Sequence, residues 1–253
     1  MADGSILIEP VDGLPEVHEG DDIAALIAAS LNGPARDGAV VVVSHKIVSK
    51  SEGAVVSLSD VVPGEQASRI ASEQGRDPRH VQVILDQSSE VLRAEHGVLV
   101  CVTHHGFVCA NAGVDLSNAG RAETAVVLPR DPDRSARDLR AGLHRLTGTS
   151  PAVVIADSFG RAWRLGQLDT AIGCAGLAPL ESWDGRSDRD GRPLQATLPA
   201  VADAVAAAAD LARSKDSGRP VVVVHGLSRF VTDDDGPGAA ALLRPAGQDL
   251  FRS

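Results

Sequence analysis

The stretch Val40-Val41-Val42-Val43-Ser44-His45-Lys46-Ile47-Val48-Ser49-Lys50-Ser51-Glu52-Gly53 opens with four valines and ends in a polar run carrying two lysines and several hydroxyls. An uninterrupted β-branched run reads as a strand buried on both faces, which requires cover on both sides of a sheet. Similar runs place further strands at Ser5–Ile8, Ala39–Val43, Val98–Thr103, Gly106–Ala110, Thr124–Leu128, Ala152–Ala156 and Pro220–Val224. Helical patterns lie between them. Asp21–Ser30 follows Gly20 and starts with two carboxylates, which a helix N-terminus favours. Glu65–Glu73 is a weaker helix, and Ser135 reads as the N-cap of Ala136–Leu146, with Gly148 as its stop. Leu198–Arg213 is alanine-rich and helical, with a carboxylate at Asp203. Ser182–Pro193 reads as a loop, and Thr232–Gly238 as an acidic, Gly-rich segment before apolar Ala239–Leu243. The expected class is α/β in the mixed α+β sense, with the strand order open.

A chain of 253 residues fits one large domain or two small ones and can bury a core without a disulfide or metal staple. With aromatics at 2% and no Tyr, that core must be built from Val, Leu, Ile and Ala. The formal net charge of -10 argues against non-specific nucleic-acid binding, which needs a basic footprint. It leaves room for an anionic ligand, because bound divalent cations invert the local field. Cys101, Cys109 and Cys174 form no CxxC pair and suit a reducing compartment. No basic-plus-apolar leader is visible, and no apolar run approaches the ~18 residues of a membrane span. The expectation is a cytoplasmic protein with no membrane and no nucleic-acid partner.

The usual phosphate and nucleophile signatures are absent. There is no GxxxxGK[ST], no GxGxxG after a strand and no GxSxG. Asp188-Arg189-Asp190-Gly191 hints at a calcium loop without the remaining spacing, so a solvated turn is the reading to prefer. His104 and His105 would point to opposite faces of a strand, which makes them a poor chelating pair.

Three segments could carry chemistry. In the opening stretch, lysine ammonium groups at a strand end suit phosphate, although a strand leaving the core with solvated charges is equally open. Ala110-Asn111-Ala112-Gly113-Val114-Asp115-Leu116-Ser117-Asn118-Ala119-Gly120 follows an apolar strand with small, turn-forming residues. There Asp115 offers a hard oxygen and Asn118 a two-sided hydrogen-bonder; an ordinary Asx-rich turn is the alternative. In Ala152–Arg164, Asp157 stands at the carboxyl end of a buried strand, where α/β enzymes place ligands. Ser158 adds a hydroxyl and Arg161 and Arg164 add guanidinium forks, against a capping Asp and a buried structural Trp163. Separated aspartates with Lys and Arg donors suit metal-assisted phosphoryl transfer on an unnamed substrate.

Taken together these segments resemble the coenzyme F-420 gamma-glutamyl ligase family. The matching stretches are GLPEV (Gly13–Val17), VVVSHKIVSKSEG (Val41–Gly53), ANAGVDLSN (Ala110–Asn118), DSFGRAWRLGQ (Asp157–Gln167), AIGCAGLAPL (Ala171–Leu180), AVADAVAAAADL (Ala200–Leu211) and LLRPAGQDLF (Leu242–Phe251). They cover nearly the whole chain in order. The resemblance implies a GTP-dependent ligase that joins L-glutamate to the phospholactyl side chain of a deazaflavin precursor, then adds gamma-linked glutamates. It implies a fold without a P-loop, in an intertwined homodimer. The expected unit is residues 1–253 as a single ligase, with two interleaved subdomains and no fused reductase domain.

The resemblance places Leu14, Pro15, Glu16, Val17, His45, Lys50 and Asn118 on GTP. The loop Ala212–Arg219, with Ser214, Lys215, Asp216, Ser217 and Gly218, would close over the nucleotide. Asp115 and Asp157 would hold one divalent cation and Ser158 a second, as magnesium or manganese, with a potassium ion as a further expectation. Lys50, Asp115 and Asp157 would be the catalytic set, and Arg161 and Arg164 would bind substrate. The sequence departs from the family pattern at His45 (Gln or Ser expected), Ser214 (a Glu or Gln metal ligand expected) and His225 (Arg common). Those departures leave open a related ligase with another amino acid or acceptor, or a non-catalytic homologue that binds GTP or deazaflavin.

Overall fold

The structure, a computed structural model, describes residues 4–33, 35, 38–116, 123–195 and 197–251. In chain order its elements are β1 (Leu7–Pro10), α1 (Ile23–Ser30), β2 (Val40–Ser44), α2 (His45–Ser51), β3 (Val55–Ser57), α3 (Glu65–Gln74), α4 (Pro78–Asp86), β4 (Ser88–Glu95), β5 (Val98–Thr103), β6 (Val108–Ala110), β7 (Thr124–Val126), α5 (Pro132–Thr147), β8 (Ala152–Arg161), β9 (Arg164–Ala175), α6 (Val201–Asp210) and β10 (Val221–His225). The class is mixed α/β, as expected.

Strand alternation sorts the core into two layers. Val41 and Val43 of β2, Val153 and Ile155 of β8, and Val221 and Val223 of β10 face one cluster, packed on Ile27 of α1 and Leu139 and Leu143 of α5. Their neighbours Val40, Val42, Val154, Val222 and Val224 face the other cluster, under Val205, Ala206 and Ala209 of α6. Successive side chains of a strand point to opposite faces, so a four-valine run serves both layers. The sheet order is β1-β10-β2-β8-β9. The pair β2–β8 is parallel and the other neighbours are antiparallel. Phe107 is the one aromatic side chain in the buried core among the described residues, which fits the aromatic-poor composition.

Between α2 and α5 the chain builds a second unit. It holds the sheet β4-β5-β6, the pair β3-β7 and a core around Ile70, Val81, Ile84, Leu99 and Cys101. The two ends of this insertion meet where Val127 N donates to Ala54 O at 3.1 Å.

Several expected boundaries are corrected. Asp22 is the N-cap of α1, accepting from Ala25 N, so neither carboxylate lies within the first turn. Helix α5 starts at Pro132, capped by Asp131, and Ser135 sits inside its first turn with Oγ donating to Asp131 O. An acidic cap followed by Pro at the first helical position outranks a later serine. Gly148 does end α5, in the left-handed conformation. Helix α6 is trimmed to Val201–Asp210, and Asp203 accepts from Ala171 N on β9. Strand β8 runs on to Arg161 and forms a long hairpin with β9, a strand absent from the sequence reading. Trp163 lies at the tip of this hairpin, 81% exposed, and is no buried structural ring. His104 and His105 sit in a turn, each with Nε2 on a backbone carbonyl, Asp86 O and Pro129 O. Asp188 closes a turn by accepting from Asp190 N and Arg192 N. The three cysteines are free and buried.

Candidate active site

Parallel strands β2 and β8 stay paired as far as Ser44 and Ala156. There β2 ends and the chain turns into α2, while β8 continues through Asp157. The opening between them is the carboxyl-end crevice where open α/β sheets bind ligands. It widens into a cavity of about 1440 Å³, walled by the 14–19 segment, α2, the turn before Asp115, β8–β9 and the 213–220 loop.

Most residues singled out from the sequence share this one cavity: Leu14, Pro15, Glu16, Val17, His45, Lys50, Asp115, Asp157, Ser158, Ser214, Lys215, Asp216 and Gly218. Ser217 is not on the wall; its Oγ donates to Ser214 O and shapes the loop. Arg161 and Arg164 lie at the hairpin tip, outside the cavity, and Arg161 Nη2 is turned onto Leu165 O. The expected GTP contact Asn118 falls outside the described residues.

Asp115 follows a turn with Asn111 at φ 53°, Ala112 at φ 52° and Gly113 at φ 70°. Asn and Gly tolerate this left-handed backbone, as their placement suggested, while Ala112 adopts it at a cost of about 1–2 kcal/mol. A Cβ on Gly113 would stand 2.8 Å from Leu128, so the glycine also permits close packing. Asn111 Oδ1 accepts from Arg76 Nη1 at 3.0 Å, and Asp115 then bridges to Val126 through two backbone hydrogen bonds.

The cavity walls carry paired charges. Lys46 Nζ lies 2.6 Å from Asp115 Oδ2, and Lys50 Nζ lies 2.5 Å from Glu16 Oε1. His45 is buried, with Nε2 3.2 Å from Asp157 Oδ1 but off hydrogen-bonding direction, and Nδ1 near Ser49 Oγ. Asp157 Oδ1 instead accepts from Ser158 N at 2.8 Å. Ser158 Oγ donates to Asp169 Oδ1 at 2.7 Å, and Arg213 Nη2 donates to Asp169 Oδ2. Burial pulls the Arg213 guanidinium below its ordinary range, opposed by the charge of Asp157.

Sequence reasoning missed Asp169, which is 1% exposed. The only available signal was an acidic residue inside Leu168-Asp169-Thr170-Ala171-Ile172, a run that otherwise turns apolar. Lys46 and Arg219 also line the cavity, and Arg219 Nε donates to Asp12 Oδ1 at 2.6 Å.

The donor set fits a divalent cation. Asp115 already holds a cationic group, the Lys46 ammonium, and Asp157 and Ser158 present further hard oxygens to the same cavity. Among the described residues no three His, Cys, Asp or Glu side chains converge. A cation here would therefore take few protein ligands and complete its shell with water and phosphate oxygens, the habit of magnesium at nucleotide sites.

The profile described as F420-0:Gamma-glutamyl ligase matches residues 13–226, which takes in every wall of the cavity. The chain belongs to this family. A coenzyme F420:L-glutamate ligase of Methanothermobacter thermautotrophicus is 45% identical over 248 residues, covering 96% of this chain and 97% of its own. One of Methanopyrus kandleri is 41% identical, covering 98% of each chain. A third, of Haloarcula marismortui, is 40% identical, covering 96% of this chain and 94% of its own. The F420-0:gamma-glutamyl ligase resemblance drawn from seven ordered stretches is thus shown. No helix among the described residues is long and apolar enough to cross a membrane.

Proposed function

We propose that this chain is a GTP-dependent ligase that adds L-glutamate, and then gamma-linked glutamates, to the phospholactyl deazaflavin precursor of coenzyme F420. The observation that carries the reading is the gathering of Leu14–Val17, Lys50, Asp115, Asp157, Ser158 and the 214–218 loop around one large cavity in a chain of this family. Its volume of about 1440 Å³ exceeds the usual range of small-molecule pockets, about 300–1,000 Å³, as a site for a nucleotide, an acceptor and an amino acid would require.

In the first step an acceptor carboxylate oxygen attacks the gamma-phosphorus of GTP, the bond to the bridging oxygen breaks, and GDP leaves. In the second, the glutamate amine attacks the acyl phosphate carbon, the carbon–oxygen bond breaks, and phosphate leaves as the nitrogen gives up a proton. Asp115, Asp157 and Ser158 would hold the divalent cations, magnesium or manganese, which offset charge on the transferred phosphoryl group. Lys50 turns from Glu16 to the phosphates and stabilises the same charge. Buried His45 and the Asp169–Arg213 pair fix the wall on which Asp157 and Ser158 sit. A potassium ion remains part of the expected ion set.

The reading extends to a homodimer. Trp163 and Leu165 at the hairpin tip are 81% and 96% exposed, and the Phe251 ring lies 6.1 Å from that of Trp163. Exposed apolar side chains on a long arm suit a second copy of the chain. Light scattering that gives a monomer mass at micromolar concentration contradicts this part.

Incubation with precursor, glutamate, GTP and magnesium or manganese should release GDP and add glutamyl mass to the precursor. Neither GDP nor mass gain would remove the ligase reading. Asp157→Asn should abolish turnover with the circular dichroism spectrum unchanged, and wild-type rates in that variant would take Asp157 out of the site.

A further inference from the structure

Helix α2 carries Lys46 and Lys50 four residues apart, hence on one face, and each ammonium reaches a carboxylate on another wall of the cavity. The helix itself is anchored by buried His45, Ile47 and Val48. Lys50 has a role in the reaction above; Lys46 has none. Its partner Asp115 is one of the two carboxylates proposed to hold metal, and its Nζ sits 2.6 Å from Oδ2. A divalent cation would bind a carboxylate oxygen at about 2.0–2.1 Å. Two cations on one carboxylate repel, so each weakens the other's hold on it. Once displaced, the Lys46 ammonium remains tethered to α2 at the cavity wall by a flexible four-carbon stem. A nucleotide phosphate in the cavity is an anion within the reach of such a stem.

We propose that Lys46 is an exchangeable counter-ion of the nucleotide site: it neutralises Asp115 before ligand binds, yields that carboxylate to a divalent cation, and swings its ammonium onto a phosphate oxygen. This rests on the metal–nucleotide reading of the cavity. It makes the cation and the nucleotide bind cooperatively. The metal alone must compete with an ammonium, whereas the metal with nucleotide gives that ammonium a new partner. The pair is partly solvent-exposed, at 20% for Lys46 and 37% for Asp115. Such pairs shift an equilibrium by about fivefold rather than by thousands.

The test is manganese binding followed by electron paramagnetic resonance, with the metal alone and with GDP, for the wild-type chain, Lys46→Met, Lys46→Arg and Asp115→Asn. Lys46→Met should bind manganese alone about fivefold tighter than the wild type, and GDP should enhance its manganese affinity about fivefold less. Lys46→Arg keeps a cation and should keep the wild-type order of affinities. Unchanged affinities in Lys46→Met, or a parallel loss of both, would overturn the exchange and leave Lys46 a structural side chain. If Asp115→Asn binds manganese as the wild type does, the metal site itself is misplaced, a distinct failure.

Discussion

Replacing Asp169 by Asn removes a negative charge from a side chain that is 1% exposed. Its partner Arg213, with a side chain 11% exposed, is then left in the interior without its ion-pair partner, with the charge of Asp157 as partial compensation. Breaking one half of a buried pair costs about 3–5 kcal/mol, much of it the stranded charge. Asn retains an oxygen that can accept from Ser158 Oγ, which places the expected loss at the lower end, about 3 kcal/mol. For a chain of this size each kcal/mol moves the melting midpoint by roughly 2–4 °C, so Asp169→Asn should melt roughly 6–12 °C lower by circular dichroism. The double variant Asp169→Asn, Arg213→Met removes both charges and should recover a large part of that loss, because an apolar pair of similar volume can replace a buried ion pair. A single variant within about 0.5 kcal/mol of the wild type would refute the reasoning, as would a double variant no more stable than the single one.

Two further variants probe the layers of the sheet. The Asp203 carboxyl is pushed above its ordinary value of 3.8, chiefly by burial, with the Ala171 N–H opposing. A raised folded-state value means that the ionised form costs stability above it, and that the cost fades as pH falls through it and is gone below 3.8. Asp203→Asn keeps an acceptor for Ala171 without the charge. Its melting midpoint should equal or exceed the wild type at pH 7, with the gap closing toward pH 4, and a variant that melts well below the wild type at pH 7 contradicts this. Gly173→Ala would place a Cβ 2.3 Å from Pro132 O, a backbone atom at the start of α5. Overpacking of that kind costs about 1–3 kcal/mol, and an unchanged thermal midpoint would show that α5 packs less tightly on β9 than described.

The two-layer core was legible because parity along Val40–Val43 and Val221–Val224 leaves a buried sheet as the one consistent reading. Strand β9 was not, because its outer half leaves the sheet for a hairpin arm, where the burial pattern becomes exposed and alternation is lost. Helix α2 is too short to show a period, and its Ile47 and Val48 carry β-branched side chains that read as strand. Helix α4 did carry a signal, Asp77 as cap and Pro78 at its start, the same pair that opens α5 at Asp131-Pro132. Asp157 was legible from its position after a buried run, and the structure gives the reason: β2 stops one residue earlier in register. The Asp169 network was hidden because it depends on the β8–β9 register that sets Ser158 opposite Asp169. No local pattern encodes that pairing.

The hydrogen bond between Ala54 and Val127 joins the two ends of the insertion. Asp115 lies on the inserted side of that seam and Asp157 on the sheet side. The chain thus leaves the main frame and returns to it at a single point, so the inserted part can be remodelled without altering the order of the five strands. Asp115 and Asp157 thus reach one cavity from two units of the chain, so a small shift of the insert on the sheet changes their separation while each keeps its own backbone support.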